Sequence, residues 1–530
     1  MKKLKISLLA TGFMLLLFGC EKSFLDVNTD PNRATETSIT PNLLLAPQLN
    51  NIAARNASSW DMLNRWMGYW SASGSYSRAT VEMSYNITNS TMEGTWNNIY
   101  YVLKQLKTLE TKAAERDWKY YQGISKILQA HDWQVLVDLY GDVPFTEALD
   151  FATNIRPAYT KGEDVYKALI PMLDEGIALI KDAVTGDNPD LTTQDVMFGG
   201  NKTNWFKFAN TLKLRILLHA QKANIFNNSA EIAKITAEGS GFLGNGVGAM
   251  VNPGYTADKP NPYYAAHLHV QNGNEADNYN RANCYAFDLM GSQDMRRQRV
   301  YRSARGSAGT YRCTSYGMNP TDDLNSDRTS GPGYGLIQLP ISTFNVPPVA
   351  GATAGANASM WVMTSVEAEF HVAEATARGW LTGDAKAAYE EAVIESFTYL
   401  NATLPSVKSK VDPTKDSIVY SPQQTARLYL EAGESTSNAR IAFPAAGSEA
   451  QKIAVIAWQK YLALNGLQGN ETWTDWRRLG VVNPPLSVAP ERGNNPIPRR
   501  LLYPSAEYSY NAANAPTGIN QFSSRIFWDK

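Results

Sequence analysis

Apolar residues return every three to four positions in long, paired blocks along this chain, the period of one face of an α-helix. The blocks Glu93–Ala113 and Asp117–Leu139 make the first pair, and in the second of them Ile124, Ile127, Leu128, His131, Val135 and Leu139 keep the period. Gly141 then ends the block, with Pro144 close behind; a glycine past a helix end can turn left-handed and a proline cannot continue the helix. Glu163–Ala183 and Thr203–Ala223 make the next pair. The latter is apolar almost all round (Trp205, Phe208, Leu212, Leu214, Ile216, Leu217 and Leu218), which predicts burial. Later, Val366, Phe370, Ala373, Ala377 and Trp380 share a helical face, Gly383 breaks the run, and Ala385–Leu400 follows as its partner. Glu449–Leu464 and Glu471–Leu479 close the series. Stacked helix pairs predict a mostly α fold, a tetratricopeptide-like helical repeat or α-solenoid, although the blocks do not recur at a clean interval of about 34 residues.

Between residues 241 and 361 the helical period fades and Gly, Pro, Asn and Tyr dominate. A structureless loop of that length is improbable in a compact domain. The stretch reads as an irregular, loop-rich subdomain with short strands and one helix near Asn283–Met290, carried by a helical scaffold over about 41–240 and 362–530. Variable loops on a rigid scaffold are where binding specificity resides.

The N-terminus follows a different pattern. Lys2, Lys3 and Lys5 precede an apolar run, Ile6–Phe18, of 13 residues, too short to span a bilayer. Gly19 and Cys20 follow, as in a lipoprotein cleavage site. The expectation is that residues 1–19 are a signal peptide, that Cys20 is acylated, that 20–40 form a polar tether, and that 41–530 fold as a single domain. No other stretch has the run of about 18 apolar residues a membrane span needs.

Composition narrows the function. Hydrophobic residues make up 44% and charged residues 19% of the chain, suited to large folded cores. The 49 basic and 50 acidic residues nearly cancel, with no basic run, which argues against a nucleic-acid partner. After processing only Cys284 and Cys313 remain; they can pair outside the cytoplasm, but they do not form a disulfide scaffold or a zinc spacing. The aromatics are abundant, with 13 Trp, 27 Tyr and 17 Phe, and many lie in Gly/Asn/Ser-rich stretches. Flat apolar faces with polar handles, set among small polar residues, have the composition of a binding surface.

Five segments in order then carry a resemblance. Asp26-Val27-Asn28-Thr29-Asp30-Pro31-Asn32 follows the anchor; Asp138-Leu139-Tyr140-Gly141-Asp142-Val143-Pro144-Phe145 ends a helix; Glu367-Ala368-Glu369-Phe370, with Ala373-Glu374-Ala375 and Arg378-Gly379, marks a later one. Glu471-Thr472-Trp473-Thr474-Asp475-Trp476-Arg477-Arg478 and Pro498-Arg499-Arg500-Leu501-Leu502-Tyr503-Pro504 lie near the C-terminus. With the lipobox, they make the chain resemble the SusD/RagB family of Bacteroidetes outer-membrane lipoproteins, in its SusD-like nutrient-binding branch. The resemblance implies a surface-exposed, lipid-anchored protein of the outer membrane. Its helical half would dock on a SusC-like TonB-dependent transporter, and its loops would capture a nutrient, a glycan in many members and a peptide in some. Ligand-binding residues lie outside the shared motifs and cannot be carried over by position.

The residues themselves supply the candidates. Tyr76 and Tyr85 sit in a polar connection, while Trp66, Tyr69 and Trp70 fit a helix face and read as core. Tyr263, Tyr264, Tyr311, Tyr316, Tyr334 and Trp361 share the irregular region. The expected ligand platform is drawn from Tyr76, Tyr85, Tyr264, Tyr316, Tyr334 and Trp361. Asp323, Asn325 and Asp327 imitate the start of a calcium loop, but Arg328 replaces the turn glycine and Tyr334 the bidentate glutamate, so no cofactor is the favoured expectation. His131 reads as a core histidine, His267 and His269 as strand neighbours pointing one way, and His371 with Glu374 as a solvated pair. Asp142 is expected to bond backbone amides in its turn, and Arg477, Arg478, Arg499 and Arg500, with Glu507, to form ion pairs. Neither a nucleophile elbow, a phosphate loop nor HExxH occurs, so the chain reads as a non-enzyme. The leading function is capture of an oligosaccharide for a transporter; the alternatives are a peptide binder in the same assembly and a cell-surface glycoside hydrolase.

Overall fold

A computed structural model describes residues 39–530, apart from 151, 271–273, 305–308, 319–328, 338–354 and 407–418. Its long helices are α1 (Pro41–Ser58), α2 (Glu93–Ala114), α3 (Lys119–Tyr140), α4 (Gly162–Asp182), α5 (Lys202–His219) and α6 (Asn228–Glu238). After the irregular region, which carries the short helix α7 (Cys284–Met290), come α8 (Ser365–Ala377), α9 (Ala385–Tyr399), α10 (Pro422–Ser435), α11 (Glu449–Ala463) and α12 (Gly469–Leu479). Each block of helical period became a helix within a few residues of its expected ends. Among the long helices, α1, α6 and α10 were not anticipated from the sequence.

Successive helices pack on one another from α2 to α4, α4 meets α5, and α5 passes the array on to α8, which packs on α9 and α11. This is the tetratricopeptide-like stack. In α4 the buried residues Val165, Tyr166, Leu169, Ile170, Leu173, Ile177 and Ile180 form one stripe, and Glu163 and Asp164 favour its N-terminal dipole. Helices α3 and α4 approach closely because glycines face each other: a Cβ on Gly123 would stand 2.6 Å from the Gly176 carbonyl oxygen. Several helix N-termini are capped by side chains: Asn201, Thr364 and Asp384 accept first-turn amides, and Ser421 and Ser448 form capping boxes with Gln424 and Gln451. Gly141 ends α3 with φ 81°, and Asp142 accepts the Gly162 amide at 2.8 Å, the turn role expected of it.

Three two-stranded antiparallel pairs are formed, two of which, the first and third below, tie the irregular region to the scaffold, while the second lies within the scaffold. Strand β1 (Trp70–Ala72) pairs with β5 (Asn280–Ala282), β2 (Val143–Pro144) with β3 (Tyr159–Thr160), and β4 (Ala249–Val251) with β6 (Met360–Met363). Trp66, Tyr69 and Trp70 are core as expected, but not as one helix face: a helix ends at Trp66 and Trp70 opens a strand.

Charged groups are buried in pairs where helices meet. Arg55 on α1 reaches both oxygens of Asp132 on α3 at 2.8 Å, with His131 at 2.9 Å beside them. At the far end of the chain, the Trp528 indole donates to Asp138 on α3 at 2.9 Å, across 390 residues of sequence. Tyr69 similarly donates to the carbonyl of Tyr461, 392 residues away.

The turn at Asn245 and Gly246 donates its amides to Glu369 (3.0 Å) and Glu395 (3.1 Å). Burial, with Glu395 and Glu391 nearby, pushes the Glu369 carboxyl up to about 7 against the pull of the Asn245 amide. Between the unfolded value near 4.5 and about 7 the folded protein holds a proton that the unfolded chain releases, so this group lowers stability as pH rises through that window. Glu369→Gln keeps the acceptor and removes the charge. It is expected to raise stability by about 1–2 kcal/mol at pH 8, discounted because Glu369 is half-buried, and to change little at pH 4.5, as read by thermal melts at both pH values.

Candidate ligand-binding site

An open cleft of about 450 Å³ lies where three distant segments meet, a volume within the usual range for small-ligand sites. Helix α7 contributes Tyr285, Asp288 and Leu289, the segment after Cys313 contributes Ser315 and Tyr316, and the Pro485–Val488 stretch closes a third side, with Arg440 at the edge. Asn283 caps α7 by accepting the Tyr285 amide at 2.9 Å, which fixes the first turn and thereby the tyrosine. The Tyr285 ring packs on Tyr461, with centroids 6.1 Å apart, and against Gly68, where a Cβ would stand 2.9 Å from the ring. Gly68 also has φ 76°, so two independent reasons require glycine there. Burial raises the Tyr285 hydroxyl above its usual range while Arg440 pulls it back. Arg440 is exposed, and its guanidinium lies 5.0 Å over the Trp458 ring, a cation–π contact that orients it. Among the described residues neither Arg440 nor the exposed Asp288 forms an ion pair, so both remain available to a ligand. Leu486 and Val488 form an apolar rim, 42% and 58% exposed.

The walls rest on buried posts. Tyr316 donates its hydroxyl to Glu82 at 2.8 Å, and Arg65 grips Glu82 at 2.6 and 2.8 Å. The Val488 amide donates to the Tyr316 carbonyl at 2.9 Å, and the Ser487 amide donates to the Tyr85 hydroxyl at 2.8 Å. Cys284, which lines the cleft, is bonded to Cys313, settling the pairing that spacing left open.

Most of the expected platform is not where composition placed it. Tyr85 is fully buried and edge-on to Trp66; Tyr316 is 3% exposed; Tyr264 is buried against His269. Trp361 sits on β6, fully buried, donating its indole N–H to the Leu467 carbonyl at 2.8 Å. Each hydroxyl or indole that finds a partner inside lets its ring leave solvent. Tyr316 keeps an edge on the cleft; Tyr85, Tyr264 and Trp361 are corrected to framework. Tyr76 stays open, 45% exposed, in edge contact with Tyr279 at 5.6 Å. The side chain of Tyr334, Cys20 and the Asp323, Asn325, Asp327 set lie outside the described residues. Tyr285, Asp288 and Arg440 were missed; the one local signal was the adjacency of Tyr285 to Cys284.

Of the polar residues singled out earlier, Glu374, Arg478 and Arg499 form ion pairs, and the others find different partners. His371 and Glu374 are buried rather than solvated, and Arg478 forks Glu374, one bond at 2.7 Å, while holding Asp475 at 2.7 Å. Arg499 meets Asp529, but among the described residues Arg477 pairs with no carboxylate side chain: it lies over the Trp473 and Trp528 rings, 3.6 and 4.7 Å from their centroids, and burial lowers it to about 10. Arg500 donates to the Tyr140 carbonyl, and Glu507 accepts from Tyr159 instead of an arginine. His267 stands in a helical turn and not on a strand; it donates to the Ala57 carbonyl and meets Asp277, both at 2.6 Å.

Glu367, His371 and Glu471 bring potential metal ligands within 4.8 Å of one another, all buried. Arg215 already holds Glu367 at 3.0 Å and Lys460 holds Glu471 at 2.7 Å. A divalent ion would add two positive charges beside cations that neutralise the carboxylates, so the donor set does not fit a metal centre.

The comparisons with known proteins agree with this architecture. The family SusD-like_2, described as "Starch-binding associating with outer membrane", matches residues 31–504. A protein of Bacteroides vulgatus described as a "putative outer membrane protein, probably involved in nutrient binding" superposes with a TM-score of 0.69 at 21% identity, covering 93% of this chain and 100% of its own. A SusD homologue of Bacteroides fragilis gives 0.66 at 20% identity, covering 90% and 95%. A chitin-binding SusD homologue of Flavobacterium johnsoniae gives 0.66 at 18%, covering 92% and 98%. At these identities the superpositions establish the fold alone. No curated protein matches the chain by sequence. No helix among the described residues is long and apolar enough to cross a membrane.

Proposed function

The chain belongs to the SusD-like family of outer-membrane, starch-binding-associated proteins, and from that premise we propose that it captures an oligosaccharide in the Tyr285–Arg440 cleft. In this reading it is anchored through Cys20 at the outer membrane, faces outward, and delivers its ligand to a SusC-like TonB-dependent transporter.

The observation that carries the proposal is the cleft itself: one tyrosine face, an apolar rim, and two oppositely charged groups free to hydrogen-bond hydroxyls. Sugar rings present C–H faces that pack on aromatic rings, and wet, shallow sites of this kind bind in the micromolar range, about −8 kcal/mol or weaker. The chitin-binding relative makes N-acetylglucosamine oligomers the first glycan to try. The apolar rim of Leu486 and Val488 favours a second reading, a peptide whose side chain covers it. Hydrolysis fits less well, because glycosidic cleavage ordinarily takes two carboxyl groups and, among the described residues, Asp288 is the one carboxylate lining the cleft.

Calorimetric titration of the mature chain with chitohexaose, maltoheptaose, xylohexaose and a casein peptide digest tests the reading. Binding of a glycan without its turnover is the expected outcome. Silence towards all glycans with a clear peptide isotherm would replace it by the second reading.

A further inference from the structure

We infer that the Cys284–Cys313 disulfide is a positioning element of the cleft, fixing the wall that carries Ser315 and Tyr316 against the helix that carries Tyr285. The inference rests on the reading of the cleft as the ligand site and adds a determinant of its affinity.

Placement is the first argument. Cys284 lines the cleft and stands next to Tyr285, while Cys313 stands two residues before Ser315. The bond brings their Cα atoms to 4.8 Å across 29 residues of sequence. Sparse secondary structure is the second. The wall has no strand of its own; it is joined to Asn283 by an isolated bridge at Thr314, with amide bonds of 2.9 Å to Ala282 and 3.1 Å from Cys284. Ser71 adds a hydroxyl bond of 3.0 Å to the Thr314 carbonyl.

Tight contact beyond the bond is the third. Gly317 has φ 87°, and a Cβ there would stand 2.2 Å from Ser487 Oγ and 2.7 Å from the Ala489 nitrogen. The wall is wedged between α7 and the 487–489 segment, so a shift at Cys313 passes to Tyr316 and to the Val488 rim bonded to it. Close-packed contacts transmit displacement. A shallow site also depends on walls that are ordered before the ligand arrives, since ordering them on binding costs affinity.

The test compares the oxidised mature chain, the same chain treated with dithiothreitol, and the C284S/C313S variant, by hydrogen exchange and by chitohexaose titration. Reduction transfers two electrons and two protons to the disulfide, giving two thiols, and the reagent closes to its cyclic disulfide. Exchange at residues 312–318 and 284–288 is expected to rise about tenfold or more, with α3 and α8 unchanged. Chitohexaose affinity is expected to fall about five- to tenfold in step. Unchanged exchange at the wall, or a uniform rise that includes α3 and α8, overturns the inference. A loosened wall with unaltered affinity overturns it too. If the oxidised chain binds neither chitohexaose nor the other glycans titrated above, the glycan reading is what fails, and the exchange comparison alone decides the positioning role.

Discussion

Asp132→Ala is expected to destabilise the fold by about 3–5 kcal/mol. Asp132 is fully buried and accepts both contacts of Arg55, which has almost no exposure itself. Truncating the carboxylate strands a guanidinium inside the α1–α3 interface, where no water can replace the lost partner. The cost of a buried pair lies mainly in breaking one side of it, so Arg55→Met with Asp132→Leu should recover most of the loss. Urea midpoints of the single and double variants, followed by circular dichroism, check both statements; a double variant no more stable than Asp132→Ala would refute the stranded-charge explanation. The pH dependence has a definite sign. Burial pushes the Asp132 carboxyl up, but Arg55 and His131 outweigh it and hold it below its ordinary value. Its stabilisation is therefore complete above the unfolded value of 3.8 and disappears as pH falls through the lower folded one. His131 acts earlier: burial keeps it neutral, so stability begins to decline once pH drops below about 6.5, where the unfolded chain takes up the proton first.

Tyr285→Ala and Arg440→Ala should each weaken glycan binding about 10- to 30-fold, roughly 1.4–2 kcal/mol. Their controls differ. Arg440 is exposed, so its variant should melt with the wild type. Tyr285 is half-buried on Tyr461, so its variant should also lose about 1–2 kcal/mol of stability. Tyr76→Ala separates two geometries: unchanged affinity confines the ligand to the cleft, and a comparable loss extends the site to the Tyr76–Tyr279 pair. Wild-type affinity in both cleft variants would remove the cleft from consideration.

Helices with an uninterrupted stripe were legible from sequence because burial on one face leaves a periodic record. Helix α1 left a broken record: Leu45, Leu49 and Ile52 keep the period, but Pro47 lies within it and Asn42, Gln48, Arg55 and Asn56 are buried alongside them. A buried asparagine that bonds a distant carbonyl, as Asn56 does with Trp361, looks like a surface residue in the sequence. Aromatics in the polar connection and in the irregular region were over-read for the complementary reason. Tyr85 and Trp361 carry polar atoms that find partners only in the folded chain, and nothing local separates such a post from a ligand contact. The cleft is harder still, being assembled from residues near 285, 316, 440 and 486 that share no motif. The shared motifs marked the scaffold instead: Glu367, Glu374, Glu471 and Arg478 belong to its ion-pair lattice.

The hydrogen bond from Trp528 to Asp138, with that from Tyr69 to the Tyr461 carbonyl, bears on how such a protein can change over generations. An open solenoid grows or shrinks by whole repeats, since each unit touches only its neighbours. Here the array is fastened back upon itself across nearly four hundred residues, and deleting or duplicating one helix pair would move the two sides of those fastenings out of register. Such a fold should also form slowly, because its decisive contacts are far apart along the chain. Lineages built on it are left to vary the connections between helices, and new ligands would arise through exchange of those segments while the number of helices stays constant.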